Sequence, residues 1–161
     1  NSQPWKFVVV RQKNAELAKL AYGANYDQVM EAPVTIALFT DTDLQKRARK
    51  IARVGGVKNF TDEQLQYFMQ NLPAEFARYD AQQTSDYLAL NAGLVAMNLV
   101  LALTDQGIGT NIILGFDKSK INEVLDIEER FRPEVLITVG YAAEKVEPSY
   151  RLPVDEIIDK R

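Results

Sequence analysis

The chain contains no cysteine and no histidine among its 161 residues. Without cysteine it forms no disulfide, carries no thiolate nucleophile and offers no sulfur ligand to a metal. Without histidine it lacks the commonest general base and metal ligand, so Ser-His and Cys-His catalysis are excluded within the chain. No EF-hand loop or paired acidic cluster takes their place, and we expect no metal site. If the protein is an enzyme, a bound cofactor would carry its chemistry.

An excess of positive charge and long apolar runs are missing as well. The chain has 19 basic and 22 acidic residues and a net charge of −3, which argues against the clustered basic face of a nucleic-acid-binding protein. It has no uninterrupted apolar run of about 18 residues and no signal peptide, so we expect a cytoplasmic protein without a membrane span. Because it begins in a motif-like segment and not with Met, we expect an N-terminal portion to precede it.

The composition is that of a globular domain, with 47% apolar and 25% charged residues. Its length predicts one domain over residues 1–161. Strand patterns alternate with helical ones, which predicts an α/β or α+β fold with helices packed on a sheet. The predicted strands cover residues 5–10, 34–39, 110–114 and 135–139. The longest helical pattern covers residues 81–106, with Gly107 where its C-terminal cap belongs, and is apolar nearly all round in its second half, so we expect it in the core or against a partner subunit. A charged helical pattern that starts at Asp43 is expected to be broken by Gly55 and Gly56, and a helix that opens at Thr61 is expected to end near Leu72 and Pro73.

Two side-chain amides, Asn1 and Gln3, come just ahead of the first strand. Pro4 fixes its own φ and is expected to keep Gln3 extended. Alternate residues of an extended segment face the same side, so both amides can point at one ligand. An amide offers a donor and an acceptor, which suits a flat heterocycle with mixed edges. An ordinary polar entry to a strand is the alternative.

Two further segments flank strands in a similar way. Asn25 and Gln28 repeat the arrangement of two amides ahead of a strand, although they can equally serve a turn. Gly115 follows the apolar strand that ends at Ile113 and Leu114, and a glycine there lets the backbone approach a flat ligand without a Cβ in the way. The backbone N–H groups of Leu114 and Gly115 could then donate to a ring edge. A plain loop glycine is the alternative.

The last residues, 144–161, show little periodicity and are predicted to form an extended C-terminal arm. Arg151 lies in this arm beside the hydroxyls of Ser149 and Tyr150. A planar fork of guanidinium donors with neighbouring hydroxyls suits a phosphate group. A solvated surface arginine is the alternative.

Taken in order, these segments resemble the nitroreductase-like family of FMN-dependent oxidoreductases. The resemblance rests on Asn-Ser-Gln-Pro-Trp before the first strand, Glu-Ala-Pro before the second, a long apolar helix ending in Gly-Ile-Gly-Thr, then Ile-Leu-Gly-Phe-Asp, Val-Gly-Tyr-Ala and Arg-Leu-Pro. It covers essentially the whole chain, and its opening motif is the most specific part. It implies an α+β fold in which helices flank a central, mainly antiparallel sheet and the long central helix lies in a homodimer interface.

By this resemblance the cofactor is FMN, bound at the subunit interface and contacted by both chains. The implied cofactor-binding residues are Asn1, Gln3, Asn25, Gln28, Ile113, Leu114, Gly115, Ser149 and Arg151. The amides of Asn1 and Gln3 would reach the ribityl chain and the flavin, and that of Asn25 the pyrimidine edge. The backbone N–H at Leu114 and Gly115 would lie near flavin N5, and the segment with Arg151 would hold the phosphate.

The activity implied is reduction of an electron-poor acceptor, such as a nitroaromatic or a quinone, with NADH or NADPH as co-substrate. Hydride would pass from the nicotinamide to flavin N5 and then to the acceptor, in two half-reactions at one site. No side chain needs to act as nucleophile or base, so we assign no catalytic residue. The alternative is a non-catalytic flavin-binding protein of the same fold with a storage, carrier or regulatory role.

Two departures from the family pattern affect these expectations. Many relatives carry an Arg-x-Ser-x-Arg segment whose arginines hold the phosphate, and the given sequence lacks it. Gln28 lies where some relatives place a lysine near the N1–O2 edge of the flavin. Because a neutral amide stabilises the reduced flavin anion less than a cation does, we expect a lower flavin reduction potential than in relatives with the lysine.

Overall fold

The structure is a computed structural model that describes residues 2–12, 14–57, 60–144 and 149–161. Its strands are β1 (Trp5–Val10), β2 (Val34–Asp41), β3 (Gly109–Ile113) and β4 (Phe131–Gly140). Its helices are α1 (Asn14–Ala18), α2 (Asn25–Glu31), α3 (Leu44–Val57), α4 (Asp62–Gln66), α5 (Leu72–Phe76), α6 (Ala81–Asp105) and α7 (Ile121–Leu125). A π-helical segment (Tyr67–Asn71) joins α4 to α5, and a 3₁₀ turn (Val154–Glu156) lies in the C-terminal arm.

The four described strands form one antiparallel sheet in the order β1-β2-β4-β3, which confirms the predicted α+β fold. Pro133 lies within the central strand β4, although it has no amide N–H to donate. The register between β2 and β4 shifts at Leu38 and Phe39, and Pro133 pairs there. Because β3 begins to pair with β4 only at Leu136, the missing donor at Pro133 breaks no bond on that side.

Hydrophobic side chains cover both faces of the sheet. Successive strand residues point to opposite faces, so Phe39 and Leu136 belong to one core cluster while Leu38 and Ile137 belong to another. The helix residues in the first cluster include Leu17, Val29 and Ile121, and those in the second include Ala92 and Ala96. The sheet therefore separates α1, α2 and α7 on one side from α6 on the other.

Helix α6 has well-defined ends. The Asp80 carboxylate accepts a hydrogen bond from the Gln83 amide N–H, and the Gln83 side chain accepts one from the Asp80 N–H, which is a capping box. Gly107, with φ +72°, follows the helix as predicted. By length and composition alone α6 could cross a membrane, but this is weak support for a span because core helices of soluble proteins meet the same criterion.

Two predicted helix ends are wrong. Gly55 and Gly56 were expected to end a helix, but α3 continues to Val57. A Cβ at Gly55 would lie 2.1 Å from the Phe60 ring, so the absence of a side chain lets Phe60 pack against the helix. The helix predicted to end near Leu72 and Pro73 instead continues through the π-helical segment to Phe76. Pro73 is tolerated because it lies in the first turn of α5.

Candidate functional site

The end of β3 is tied to the start of α2. The carbonyl oxygen of Gly115 accepts hydrogen bonds from the Tyr22 amide N–H at 2.9 Å and from the Asn25 side-chain amide at 3.2 Å. A β-bridge between Ala21 and Phe116 reinforces this connection. The structure therefore brings together Asn25 and Gly115, which are 90 residues apart in the chain.

The absence of a side chain at Gly115 allows its close contact with Asn25. A Cβ at this position would lie 2.9 Å from the Asn25 Nδ2 atom. The neighbouring side chains diverge, because Ile113 is 1% exposed in the core and Leu114 is 67% exposed. Ile113 can therefore offer a ligand only its backbone, and its role toward a cofactor stays a prediction.

The amide N–H groups of Leu114 and Gly115 are the free donors at this strand end. Within the described residues neither amide donates a hydrogen bond, whereas the Leu114 carbonyl oxygen accepts one and the Gly115 carbonyl oxygen accepts two. A free backbone N–H that remains accessible is available to a ligand or to water. Two such donors in succession beside the amide of Asn25 can bind the edge of a flat heterocycle.

The amide of Gln28 has a partner that the sequence did not predict. The Asn111 Nδ2 group donates to the Gln28 Oε1 atom across the gap between β3 and α2. This bond occupies the Gln28 oxygen and leaves its NH₂ group to donate elsewhere. Asn111 is an exposed polar residue two positions before Ile113, and an amide inside an otherwise apolar strand was the signal that could have identified it. We call Asn25, Gln28, Asn111, Leu114 and Gly115 the β3–α2 junction.

Gln3 does not have the extended conformation expected ahead of a proline. Its φ is +45°, in the left-handed region that non-glycine residues adopt at a cost. Its carbonyl oxygen accepts a hydrogen bond from Arg47 Nε at 2.8 Å, and that of Pro4 accepts one from the Asp41 amide at 2.6 Å. These two bonds set the direction of the backbone, and the Gln3 side chain remains exposed. Asn1 lies outside the described residues.

Ser149 and Arg151 lie in the exposed part of the arm that the structure describes, residues 149–161. The Arg151 Nη1 atom donates to the carbonyl of the adjacent Tyr150 at 2.8 Å. Within the described residues, no hydrogen bond or ion pair joins Arg151 to the β3–α2 junction. The single chain therefore brings together the predicted residues at the junction but not those of the arm.

Among the described residues the pKa values of two side chains are shifted, and neither residue belongs to the predicted site. Hydrogen bonds from the Ser119 hydroxyl and backbone lower the pKa of Asp117. Partial burial, and next the charge of Glu75, raise the pKa of Tyr79. In the described part of the chain no group of three acidic side chains could hold a metal ion. The chemistry that the β3–α2 junction offers is therefore hydrogen bonding by amides.

Comparisons with known proteins identify the family of the chain. The family model described as "Nitroreductase family" matches residues 1–141. A Streptococcus pyogenes protein that bears the name of an NAD(P)H nitroreductase is 63% identical over 161 residues, which is 100% of this chain and 80% of that protein. A crystal structure of a nitroreductase family protein from Streptococcus pneumoniae TIGR4 is 85% identical, with a TM-score of 0.96 over 99% of this chain and 80% of that one.

A fourth comparison includes a ligand. The crystal structure of a nitroreductase from Exiguobacterium sibiricum 255-15, solved in complex with FMN, is 29% identical to this chain. The TM-score is 0.89, and the match covers 99% of this chain and 78% of that one. The fold is therefore the same as that of a protein crystallised with this flavin.

Proposed function

The chain belongs to the nitroreductase family, and on that premise we propose that it is an FMN-dependent NAD(P)H oxidoreductase of the cytoplasm. Its acceptors are nitroaromatics, quinones or similar electron-poor compounds. The observation that carries this proposal is the pair of free amide donors at Leu114 and Gly115 beside Asn25. Related proteins named as NAD(P)H nitroreductases and the FMN complex of a structural neighbour support it.

The residues at the β3–α2 junction fit a flavin. An isoalloxazine has a flat ring system with alternating acceptors and donors along one edge, and the junction offers backbone N–H donors at Leu114 and Gly115 together with the side-chain amides of Asn25 and Gln28. Gly115 brings the backbone close to Asn25 because it has no Cβ. No acidic side chain is part of this set.

When bound, FMN would supply the redox chemistry, which is hydride transfer from NADH or NADPH to the acceptor. The backbone amides of Leu114 and Gly115 would donate hydrogen bonds toward the ring near N5. Asn25 and Gln28 would bind the pyrimidine edge, and Asn1 and Gln3 the ribityl chain and the flavin. Arg151 and Ser149 would hold the phosphate. The chain orients the reactants, and no side chain acts as nucleophile or base.

The active form in this proposal is a homodimer, with α6 in the interface. One side of α6, which we call its outer face, consists of Leu90, Leu94, Met97 and Leu101. The exposed fractions of these four residues are 63%, 64%, 49% and 62%. In the most apolar 18-residue stretch of α6, only 17% of the residues are buried. An apolar patch of this kind on a protein surface marks an interaction site. A second copy of the chain covers it and brings the C-terminal arm of one subunit to the junction of the other.

Anaerobic reduction tests the proposal. The purified protein, loaded with FMN and freed of excess flavin, is titrated with NADH or NADPH while its visible absorption is recorded. We expect the flavin absorption to bleach and to return when a quinone or a nitroaromatic compound is added. Tight flavin binding without bleaching by either nicotinamide would support the alternative, a non-catalytic flavin-binding protein of the same fold.

A further inference from the structure

Arg47 holds the backbone on both sides of Pro4. From α3, its Nε atom donates to the Gln3 carbonyl at 2.8 Å, and its Nη2 atom donates to the Trp5 carbonyl at 3.2 Å. The guanidinium is rigid and planar, so two bonds from it fix the relative direction of the two carbonyls. We call residues 2–5, which include both, the Gln3 segment.

Two other elements hold the same segment. The Asp41 amide at the end of β2 donates to the Pro4 carbonyl at 2.6 Å. The Ser2 hydroxyl is 1% exposed and lies 2.6 Å from the Tyr87 hydroxyl of α6. Partners from α3, β2 and α6 thus converge on three consecutive residues and on Trp5.

Gln3, in the middle of these contacts, has a backbone conformation that needs such support. A φ of +45° is unfavourable for a residue with a Cβ, and a strained residue persists only where its surroundings over-determine its geometry. Both neighbours of Gln3 are buried, whereas its own side chain is exposed. The contacts therefore turn the amide of Gln3 outward.

We propose that Arg47 is a positioning residue: it holds Gln3 in the left-handed conformation that presents the Gln3 amide to the flavin. The flavin part of this inference rests on the proposed function, and the conformational part does not. Arg47 acts through the backbone carbonyls of Gln3 and Trp5 and touches no reacting atom itself.

The first experiment is independent of flavin. The stabilities of Gln3→Gly and Gln3→Ala are compared by urea unfolding, first with Arg47 present and then in Arg47→Met. Glycine tolerates a positive φ and alanine does not. When Arg47 is present, we therefore expect the unfolding equilibrium constant of Gln3→Gly to be about 5- to 30-fold smaller than that of Gln3→Ala. In Arg47→Met the backbone can relax, and we expect the unfolding constants of the two Gln3 variants to differ by a factor of about 2 or less. An unchanged ratio would overturn the inference.

The second experiment measures FMN affinity in the apoprotein by fluorescence quenching. We expect Arg47→Met and Gln3→Ala each to weaken binding by about tenfold, and the double variant to be no weaker than Gln3→Ala alone. Arg49→Met, which removes an exposed arginine of the same helix, is the matched control and leaves affinity unchanged. If Arg47→Met unfolds the protein, Arg47→Lys keeps the charge while losing the fork.

The two experiments test separately whether Arg47 holds Gln3 and whether the protein binds FMN. If Arg47→Met weakens FMN binding equally in the presence and absence of the Gln3 side chain, the positioning role is overturned. An effect on FMN affinity no larger than that of Arg49→Met would also overturn it. A wild-type protein that binds no FMN would instead contradict the proposed function. The unfolding comparison would still decide whether Arg47 holds Gln3.

Discussion

The Gln3 segment and the C-terminal arm are both predicted to touch the same cofactor, yet one is held by the chain and the other is not. Residues 2–5 are hydrogen-bonded to α3, β2 and α6. Every described residue of the arm is exposed, and Arg151 donates only to its neighbour Tyr150 among the described groups. One chain therefore pre-organises part of the proposed site and leaves the phosphate-binding part to be ordered by other contacts.

The test with the largest expected effect disrupts the proposed homodimer. We expect the double variant Leu94→Glu and Leu101→Glu to be monomeric and to lose bound flavin, because a carboxylate buried in an apolar interface is left without a partner. Dimer affinity should fall by at least about 100-fold, or about 3 kcal/mol. Sedimentation velocity and flavin content measure both effects.

A control for charge uses Gln66→Glu and Gln70→Glu, which add the same two carboxylates at exposed positions outside α6. This variant should remain dimeric and yellow. A monomeric protein that kept its flavin after the α6 substitutions would show that one chain completes the site.

The next largest effect concerns the arm. We expect Arg151→Gln to weaken FMN binding by about 1.5–3 kcal/mol, about tenfold or more, since a charge-assisted contact with the phosphate is lost. Its melting temperature should not change, because Arg151 is exposed and, in the described part of the chain, donates only to the adjacent Tyr150. Arg161→Gln, at an exposed arginine paired only locally with Asp159, is the control. Equal FMN affinity in the two variants would remove Arg151 from the site.

A smaller effect is expected at Gln28. Replacing this residue by lysine places a cation where Asn111 now binds a neutral amide. We expect the flavin reduction potential to rise by about 30 mV, which corresponds to tenfold, or 1.4 kcal/mol, in a two-electron couple. Potentiometric titration measures it, with Gln28→Met as the uncharged control. A potential that fell in the lysine variant would contradict the assignment of Gln28 to the N1–O2 edge.

The smallest effect is expected at Gly115. Alanine here would place a Cβ 2.9 Å from the flexible end of Asn25, so we expect a loss of about 1 kcal/mol in the free energy of unfolding. In the double variant with Asn25→Ala the crowding disappears, and the added cost of alanine should fall to near zero. Urea unfolding gives all three values. An equal cost in both backgrounds would mean that the glycine serves another contact.

Sequence reasoning placed β1, β2, β3 and α6 well because their patterns are local, but it missed the first four residues of β4, where Pro133 interrupts the pattern. The alternation of strand residues and the capping box at Asp80 depend on neighbours in the chain. It failed at Gly55 and at Gln3, where a distant ring and a distant guanidinium decide the backbone. A local rule for the residue before proline could not foresee that Arg47 bonds to both flanking carbonyls.

The candidate site shows the same difference between residues recognised from sequence motifs and residues whose role depends on a distant partner. The order of motifs placed Asn25 and Gly115 in one site, and the structure brings them together. Asn111 was missed because its role is defined only by a partner 83 residues away in the chain. The roles of all nine predicted residues toward a cofactor remain predictions: Asn1, Gln3, Asn25, Gln28, Ile113, Leu114, Gly115, Ser149 and Arg151.

The measurement that tests the central claim most directly is sedimentation velocity of the FMN-loaded protein, recorded at the visible absorption of flavin and at that of protein. The account predicts one yellow species with the mass of two chains and one FMN per chain. A colourless monomer in the presence of excess FMN would contradict it.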